Sequence, residues 1–351
     1  MTINNKDISV VVQGQTRSGE IEVCLSSIRK YLPGATIILS TWEGSNIEGL
    51  DYDKLVLNKD PGSSGYRENV YKNPDKKTPS NINRQIVSTI NGLKAVETKY
   101  AMKLRTDFQM FGNKFLNYFD KFQKTPKDDS LKIFERKVLC FLMLPEIYSP
   151  IPFFVCDFSF FGLTKDLITL FDIPLQTDLE AFYFEKNKPV DMQLYNYHGG
   201  CSSRYGPEEY IVFNALSKKK KDIFEIVRDW TDTENNNVEL GRQFITTNFI
   251  VLEDKQYQVG GIKKENLLAL KNFKCFETYK EWYKKYCDPN YIVLSSYIGP
   301  ELKKLDKYSK QFYKPIESFI KFLRSPFYVL FYSVKICLKF AYVLLSRSKK
   351  Q

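Results

Sequence analysis

The 351 residues carry 52 Lys and Arg against 41 Asp and Glu, a formal charge of +11, with seven cysteines and one histidine. This length buries a core without staples, and an odd cysteine count with no Cys-x-x-Cys spacing and no apolar signal segment ahead of Ile8 points to a reducing, cytoplasmic compartment. The lone His198 excludes a zinc site of two or three histidines and leaves a Ser-His-Asp triad only that residue to build on.

In chain order, Ile8–Val12 is a β-branched run without polar alternation, as expected of a strand buried on both faces, and it breaks at Gln13-Gly14-Gln15. Ile21, Leu25, Ile28 and Leu32 then recur at helical spacing, Pro33-Gly34 ends the helix, and Thr36–Ser40 is a second buried run. This βαβ unit predicts a parallel sheet whose ligands bind beyond the carboxyl ends of its strands, which makes the loops after Val12 and Ser40 candidate walls.

Leu55–Leu57 is a third strand, running into the turn formers Asn58–Gly65. From Asn83, the positions Ile86, Ile90, Leu93 and Val96 predict a helix, and Tyr100–Leu104 a strand emerging at Arg105-Thr106-Asp107. Val155–Phe161 reads as an aromatic strand or pair of strands carrying Asp157. Gly206-Pro207-Glu208-Glu209-Tyr210 opens a helix continuing through Leu216, with proline and acids at its first turn, and Gln243–Leu252 reads as a late strand.

The charge is concentrated at the far end of the chain. Residues 301–351 hold twelve Lys or Arg against Glu301, Asp306 and Glu317, a local +9, so the first 300 residues are nearly neutral. After the basic connector 301–314, Pro315 starts a helix whose Lys321, Arg324, Tyr328, Tyr332, Lys335, Lys339, Tyr342 and Ser346 fall on one stripe while the remaining faces are apolar. Lys335 and Lys339 interrupt the stretch a spanning helix needs, so 315–351 is expected to lie in the plane of an anionic membrane surface. Basic residues interleaved with Leu, Ile and Phe at helical period do not form a nucleic-acid groove or a stacking platform.

Three acids mark chemistry. Asp107 directly follows a buried strand, where a carboxylate of a GT-A-type nucleotide-sugar transferase binds Mg²⁺ or Mn²⁺ on the donor diphosphate; Arg105 stands at the first position of what would otherwise be Asp-x-Asp. Glu208 at its helix start, or Asp157, is the candidate base for an acceptor hydroxyl. Arg84, Lys103 and Arg105 lie near element ends and are candidate phosphate partners. The turn Gln13-Gly14-Gln15-Thr16-Arg17 is neither a P-loop nor G-x-G-x-x-G, so kinases and Rossmann dehydrogenases find no support in it.

In order, Val-Val-Val-Gln-Gly (10–14), Pro-Gly-Ala-Thr-Ile-Ile-Leu-Ser-Thr-Trp (33–42), Asp-Pro-Gly (60–62), Asn-Arg-Gln (83–85) and Lys-Leu-Arg-Thr-Asp (103–107) resemble the WavE lipopolysaccharide synthesis family. The blocks at 156–162 and 207–210 extend the likeness to about Leu252. The resemblance implies an α/β, GT-A-like, mainly parallel sheet flanked by helices over residues 1–300. It also implies transfer of a sugar from a nucleotide-sugar donor to a lipid-linked or growing glycan, in lipopolysaccharide, O-antigen or capsule synthesis. It singles out Ser40, Thr41, Trp42, Asp60, Arg84, Lys103, Arg105, Asp107, Asp157 and Glu208. On this reading Gln13, Gly14, Thr41 and Asp60 line the nucleotide pocket, and the enzyme works peripherally on the cytoplasmic face of the inner membrane. The alternatives are a nucleotidyl- or phosphotransferase on a similar sheet and a non-catalytic membrane scaffold of a polysaccharide assembly complex.

Overall fold

The computed structural model describes residues 3–68, 77–124, 130–141, 151–197, 200–262, 279–288 and 291. His198, the connector 301–314 and the basic amphipathic segment 315–351 lie outside the described residues. The strands are β1 (Ile8–Gln13), β2 (Thr36–Trp42), β3 (Lys54–Asn58), β4 (Tyr66–Glu68), β5 (Lys77–Pro79), β6 (Tyr100–Arg105), β7 (Phe108–Met110), β8 (Val138–Phe141), β9 (Ser159–Leu163), β10 (Phe249–Leu252) and β11 (Val259–Gly261).

Seven of them form one sheet in the order β10-β8-β9-β6-β1-β2-β3. β1 pairs in parallel with β2 and β6, β2 with β3, and β8 with β10, while β9 alone runs antiparallel to both its neighbours. The result is the mainly parallel, GT-A-like α/β sheet expected. Every residue of β1 is buried, and Val10, Val11 and Val12 are fully inaccessible, because helices cover both faces and leave no room for polar alternation.

The register brings Gln13 beside both Ser40 and Arg105 at the carboxyl edge. Since β9 is reversed, its first residue, Ser159, pairs with Leu104 near the last residue of β6. The segment before β9 therefore reaches the same edge as the segments after β1, β2, β3 and β6. A small side sheet of β7 and β11 is tied to this edge, where Ile262 donates its N–H to the Asp107 carbonyl at 3.0 Å.

The helix Ile82–Lys94 lies against β1 and β2 with Ile82, Ile86, Ile90 and Leu93 buried. It is fastened by a polar seam. Ser88 donates to Gln13 Oε1 at 2.8 Å, Ser40 to the Ser88 carbonyl at 2.7 Å, and Asn58 Nδ2 to Ser40 Oγ at 3.0 Å, while Asn91 donates to Asn58 Oδ1 at 2.8 Å. Buried polar groups joined in this way fix one docking of helix on sheet, because any displacement leaves several of them unpaired.

Two expectations shift. Gln243–Leu252 is not one strand: a helix spans Asn235–Asn248 and only Phe249–Leu252 is β. The β-branched Ile245, Thr246 and Thr247 favour strand, but Asn248 closes the helix, with Nδ2 donating to the Phe244 and Leu131 carbonyls at 2.9 and 2.8 Å and Oδ1 accepting from Ile133 N–H at 2.8 Å. The aromatic strand begins at Ser159 and not at Val155, so Asp157 sits in the segment ahead of it.

Candidate active site

A cleft of about 650 Å³ opens at the carboxyl edge of the sheet. The turn Gln13–Arg17 forms one wall, Trp42–Asn46 another, and Asp60, Asn81, Arg84, Gln85 and Arg105–Asp107 complete it. Gly14 adopts φ of +123° there, and a Cβ on it would stand 3.1 Å from Thr106 Oγ1. Only glycine both accepts that angle and lets the two turns close on one another. The closure is hydrogen-bonded, with Gly14 N–H donating to the Ser40 carbonyl at 3.1 Å, Thr106 N–H to the Gln13 carbonyl at 3.1 Å, and Thr106 Oγ1 to the Gln15 carbonyl at 2.9 Å.

Two arginine–carboxylate forks stand in this cleft. Arg84 Nε and Nη2 donate to Asp60 Oδ1 and Oδ2, both at 2.8 Å, and its Nη1 donates to Asn81 Oδ1 at 2.8 Å. The Arg84 guanidinium, with the Gly62 N–H, holds the Asp60 carboxyl below the usual carboxylate range. Arg105 Nε and Nη2 donate to Asp107 Oδ1 and Oδ2 at 2.9 and 2.7 Å. The Arg105 guanidinium also lies 5.6 Å from the Phe108 ring centre and 5.3 Å from that of Phe158, so fork and aromatic walls fix its position together. Thr16 Oγ1 and Gln85 Nε2, on residues of the same lining, are buried and have no hydrogen-bond partner among the described residues.

Beyond Arg105 lies a group of acids. Asp157 is 5 % exposed and Glu209 2 % exposed, and Glu208 and Glu209 occupy the first turn of the helix Pro207–Ser217. Burial pushes the Glu208 carboxyl well above its ordinary range, and the charges of Asp157 and Glu209 push it further, against Arg67. Glu209 is raised chiefly by burial too, with N–H groups of the helix start and Arg67 opposing. Two such acids side by side share a proton near neutrality instead of both ionising. The charge of Asp157 acts on both Arg105 and Glu208, so the fork and the glutamate pair share one electrostatic neighbourhood.

Of the predicted site residues, Gln13, Gly14, Asp60, Arg84, Arg105 and Asp107 line the cleft, and Asp157 and Glu208 come together beside it. Two do not reach it. Thr41 is fully buried with its hydroxyl on Ser45 Oγ at 3.0 Å, and the exposed step of that strand falls one residue later at Trp42. Lys103 points into the core, where its ammonium meets the Asp157 carbonyl and faces the rings of Phe160 and Phe171. Burial pushes it down to about 8, with Asp157 opposing, so it braces the Asp157 segment and cannot touch a phosphate in the cleft.

The chain reading did not single out Arg67, Asn81 or the rings of Phe108 and Phe158. Arg67 precedes residues 69–76, and nothing in its neighbours marks it.

The Mg²⁺ or Mn²⁺ expected at Asp107 meets an unfavourable donor set. Both Asp107 oxygens are engaged by Arg105, Asp60 is engaged by Arg84, and among the described residues no group of three or more His, Cys, Asp or Glu is placed to hold a metal ion. A dication on Asp107 would have to displace the guanidinium and then sit beside it, like charge against like charge. As they stand these side chains do not fit that ion.

Compared with known proteins, the chain matches, over residues 8–308, the model of a family described as WavE lipopolysaccharide synthesis. No curated protein matches it.

Proposed function

The chain belongs to the WavE lipopolysaccharide synthesis family, and on that premise we propose that it is a glycosyltransferase that moves a sugar from a nucleotide-sugar donor to a lipid-linked or growing glycan. The observation that carries this reading is the adjacency of two chemically different places at one sheet edge. One is an open cleft lined by three arginines, Arg17, Arg84 and Arg105, and the other the pair Glu208 and Glu209, whose proton affinity burial raises.

The cleft suits the donor. Trp42 and the turn Gln13–Arg17 face a base and ribose, and Arg84 and Arg105 face the diphosphate. The sugar then projects toward Asp157 and the glutamate pair. For transfer with inversion, an acceptor hydroxyl attacks the anomeric carbon, the carbon–oxygen bond to the diphosphate breaks, and the hydroxyl proton passes to Glu208. A carboxylate whose proton affinity burial has raised is a stronger base than an exposed one, and because Glu208 and Glu209 share a proton near neutrality, one carboxylate of the pair stays ionised to accept it.

The acceptor class also gives the basic amphipathic pattern of 315–351 a role, as an in-plane anchor on an anionic membrane, on the cytoplasmic face of the inner membrane where lipid-linked acceptors are built. Among the described residues no helix is long and apolar enough to cross a membrane.

The test is binding and slow hydrolysis of a panel of UDP-, GDP-, CMP- and dTDP-sugars by the full chain. Binding and hydrolysis of one donor, releasing free sugar and the nucleotide leaving group, support the reading. Transfer of phosphate or nucleotide to the acceptor would move it to a nucleotidyltransferase, and no binding of any donor would leave a non-catalytic scaffold.

A further inference from the structure

We propose that Arg105, braced by Asp107, is the fixed counter-charge for the donor's diphosphate, so that donor binding requires no divalent cation. This rests on the cleft being the donor site. Four features of Arg105 converge. Its side chain is 36 % exposed and lines the cleft, so an incoming anion reaches it. Its Nε and Nη2 are committed to the two oxygens of Asp107, whose side chain is only 16 % exposed, which leaves Nη1 and the remaining Nη2 hydrogen to donate. The rings of Phe108 and Phe158 hold the guanidinium plane laterally. The backbone beneath it is pinned at the end of β6, by the pairing of Arg105 with Gln13 on one side and of Leu104 with Ser159 on the other.

A cation positioned before its anion arrives meets the developing charge on the leaving diphosphate without reorganising, which is where most electrostatic catalysis originates. Asp107 is accordingly a positioning residue. It does for the guanidinium what a ligand set does for a metal, and its location directly after a buried strand, the place where a metal carboxylate is looked for, follows from the same requirement that the counter-charge stand at the sheet edge. Arg84, forked on Asp60, supplies another guanidinium to the same cleft.

The experiment is titration calorimetry of the full chain with UDP, GDP, CDP and dTDP and with the corresponding monophosphates, in EDTA and again with millimolar Mg²⁺ or Mn²⁺. One nucleoside diphosphate is expected to bind in EDTA, with its affinity changed less than about threefold by either metal, less than the loss of one charge-assisted contact. Arg105→Gln should lower diphosphate affinity about 10- to 100-fold, the worth of one charge-assisted fork, and leave the monophosphate within about threefold. Arg105→Lys, which keeps the charge but not the fork, should fall between. Asp107→Asn should weaken the preference for diphosphate over monophosphate without creating or abolishing a metal response.

Binding that appears only with metal and vanishes in Asp107→Asn would overturn the inference and leave the transferase reading standing. Failure of every nucleotide to bind in either buffer would overturn the donor site and the inference together. Should Arg105→Gln not fold, the wild-type comparison with and without EDTA decides alone.

Discussion

Gly92, in the last turn of the helix Ile82–Lys94, gives the sharpest test of how the cleft is supported. A Cβ there would stand 2.4 Å from Val11 Cγ1 and 3.0 Å from Ser40 Cβ, where carbon pairs ordinarily rest at about 3.5–4.0 Å. Neither neighbour can yield: Val11 and Ser40 are fully buried on adjacent central strands, and Ser40 Oγ is committed to the Ser88 carbonyl. The helix must therefore lift by about 1 Å. Alanine is intrinsically better in a helix by up to about 1 kcal/mol, while overpacking a rigid core costs about 1–3 kcal/mol. With a clash this deep the cost takes the upper end, so Gly92→Ala should destabilise by about 1–2 kcal/mol and lower the thermal midpoint by roughly 2–3 °C for a domain of this size. The same lift draws Arg84, near the other end of the helix, away from Asp60, so nucleotide affinity should fall even where the fold survives. Thermal unfolding followed by circular dichroism and titration of the bound nucleotide read the two effects. A variant as stable as the wild type would refute the close seating of helix on sheet.

Glu208→Gln should abolish sugar transfer while leaving donor affinity unchanged, and equal loss of both would remove Glu208 from the base role. Raised carboxyls stabilise the fold while protonated; that contribution is complete below the ordinary glutamate value of about 4.3 and is lost as pH rises through the raised one. Stability of the wild type should thus decline from mildly acid to neutral pH, and Glu209→Gln should shrink that decline; identical slopes of thermal midpoint against pH would contradict the burial of Glu209. Lys103→Met should keep nucleotide affinity within about twofold, whereas a tenfold loss, about 1.4 kcal/mol, would mean that Lys103 does meet phosphate. Removing 315–351 should release the chain from anionic vesicles in a sedimentation assay, and retention would place the membrane contact elsewhere.

The cleft lining was legible because it follows parallel-sheet grammar: a short apolar run, then a break, then a polar or charged residue at the sheet edge. Gln13, Asp60 and Asp107 each stand at or just beyond such a break. Thr41 and Lys103 miss the cleft for different reasons: a strand end alternates faces, and Trp42 is the outward step next to Thr41, whereas Lys103 shares a face with Arg105 but lies two residues deeper, where the sheet is covered. The acid group was half legible. Glu208 announces itself at a helix start, but its coupling to Glu209 and Asp157 depends on a reversed strand that no local pattern encodes. Arg67 stayed hidden because it matters only through its charge on acids about 140 residues away.

The reversal of β9 separates the two halves of the site along the chain. The cleft is lined by segments leaving strands β1, β2, β3 and β6 and by the start of the helix Ile82–Lys94, while Asp157 comes from a segment entering β9 and the glutamate pair from the start of the helix Pro207–Ser217. On the proposed reading, exchanging the stretches 151–158 and 200–208 between relatives is therefore expected to alter the linkage made while the cleft, and with it the nucleotide bound, is kept.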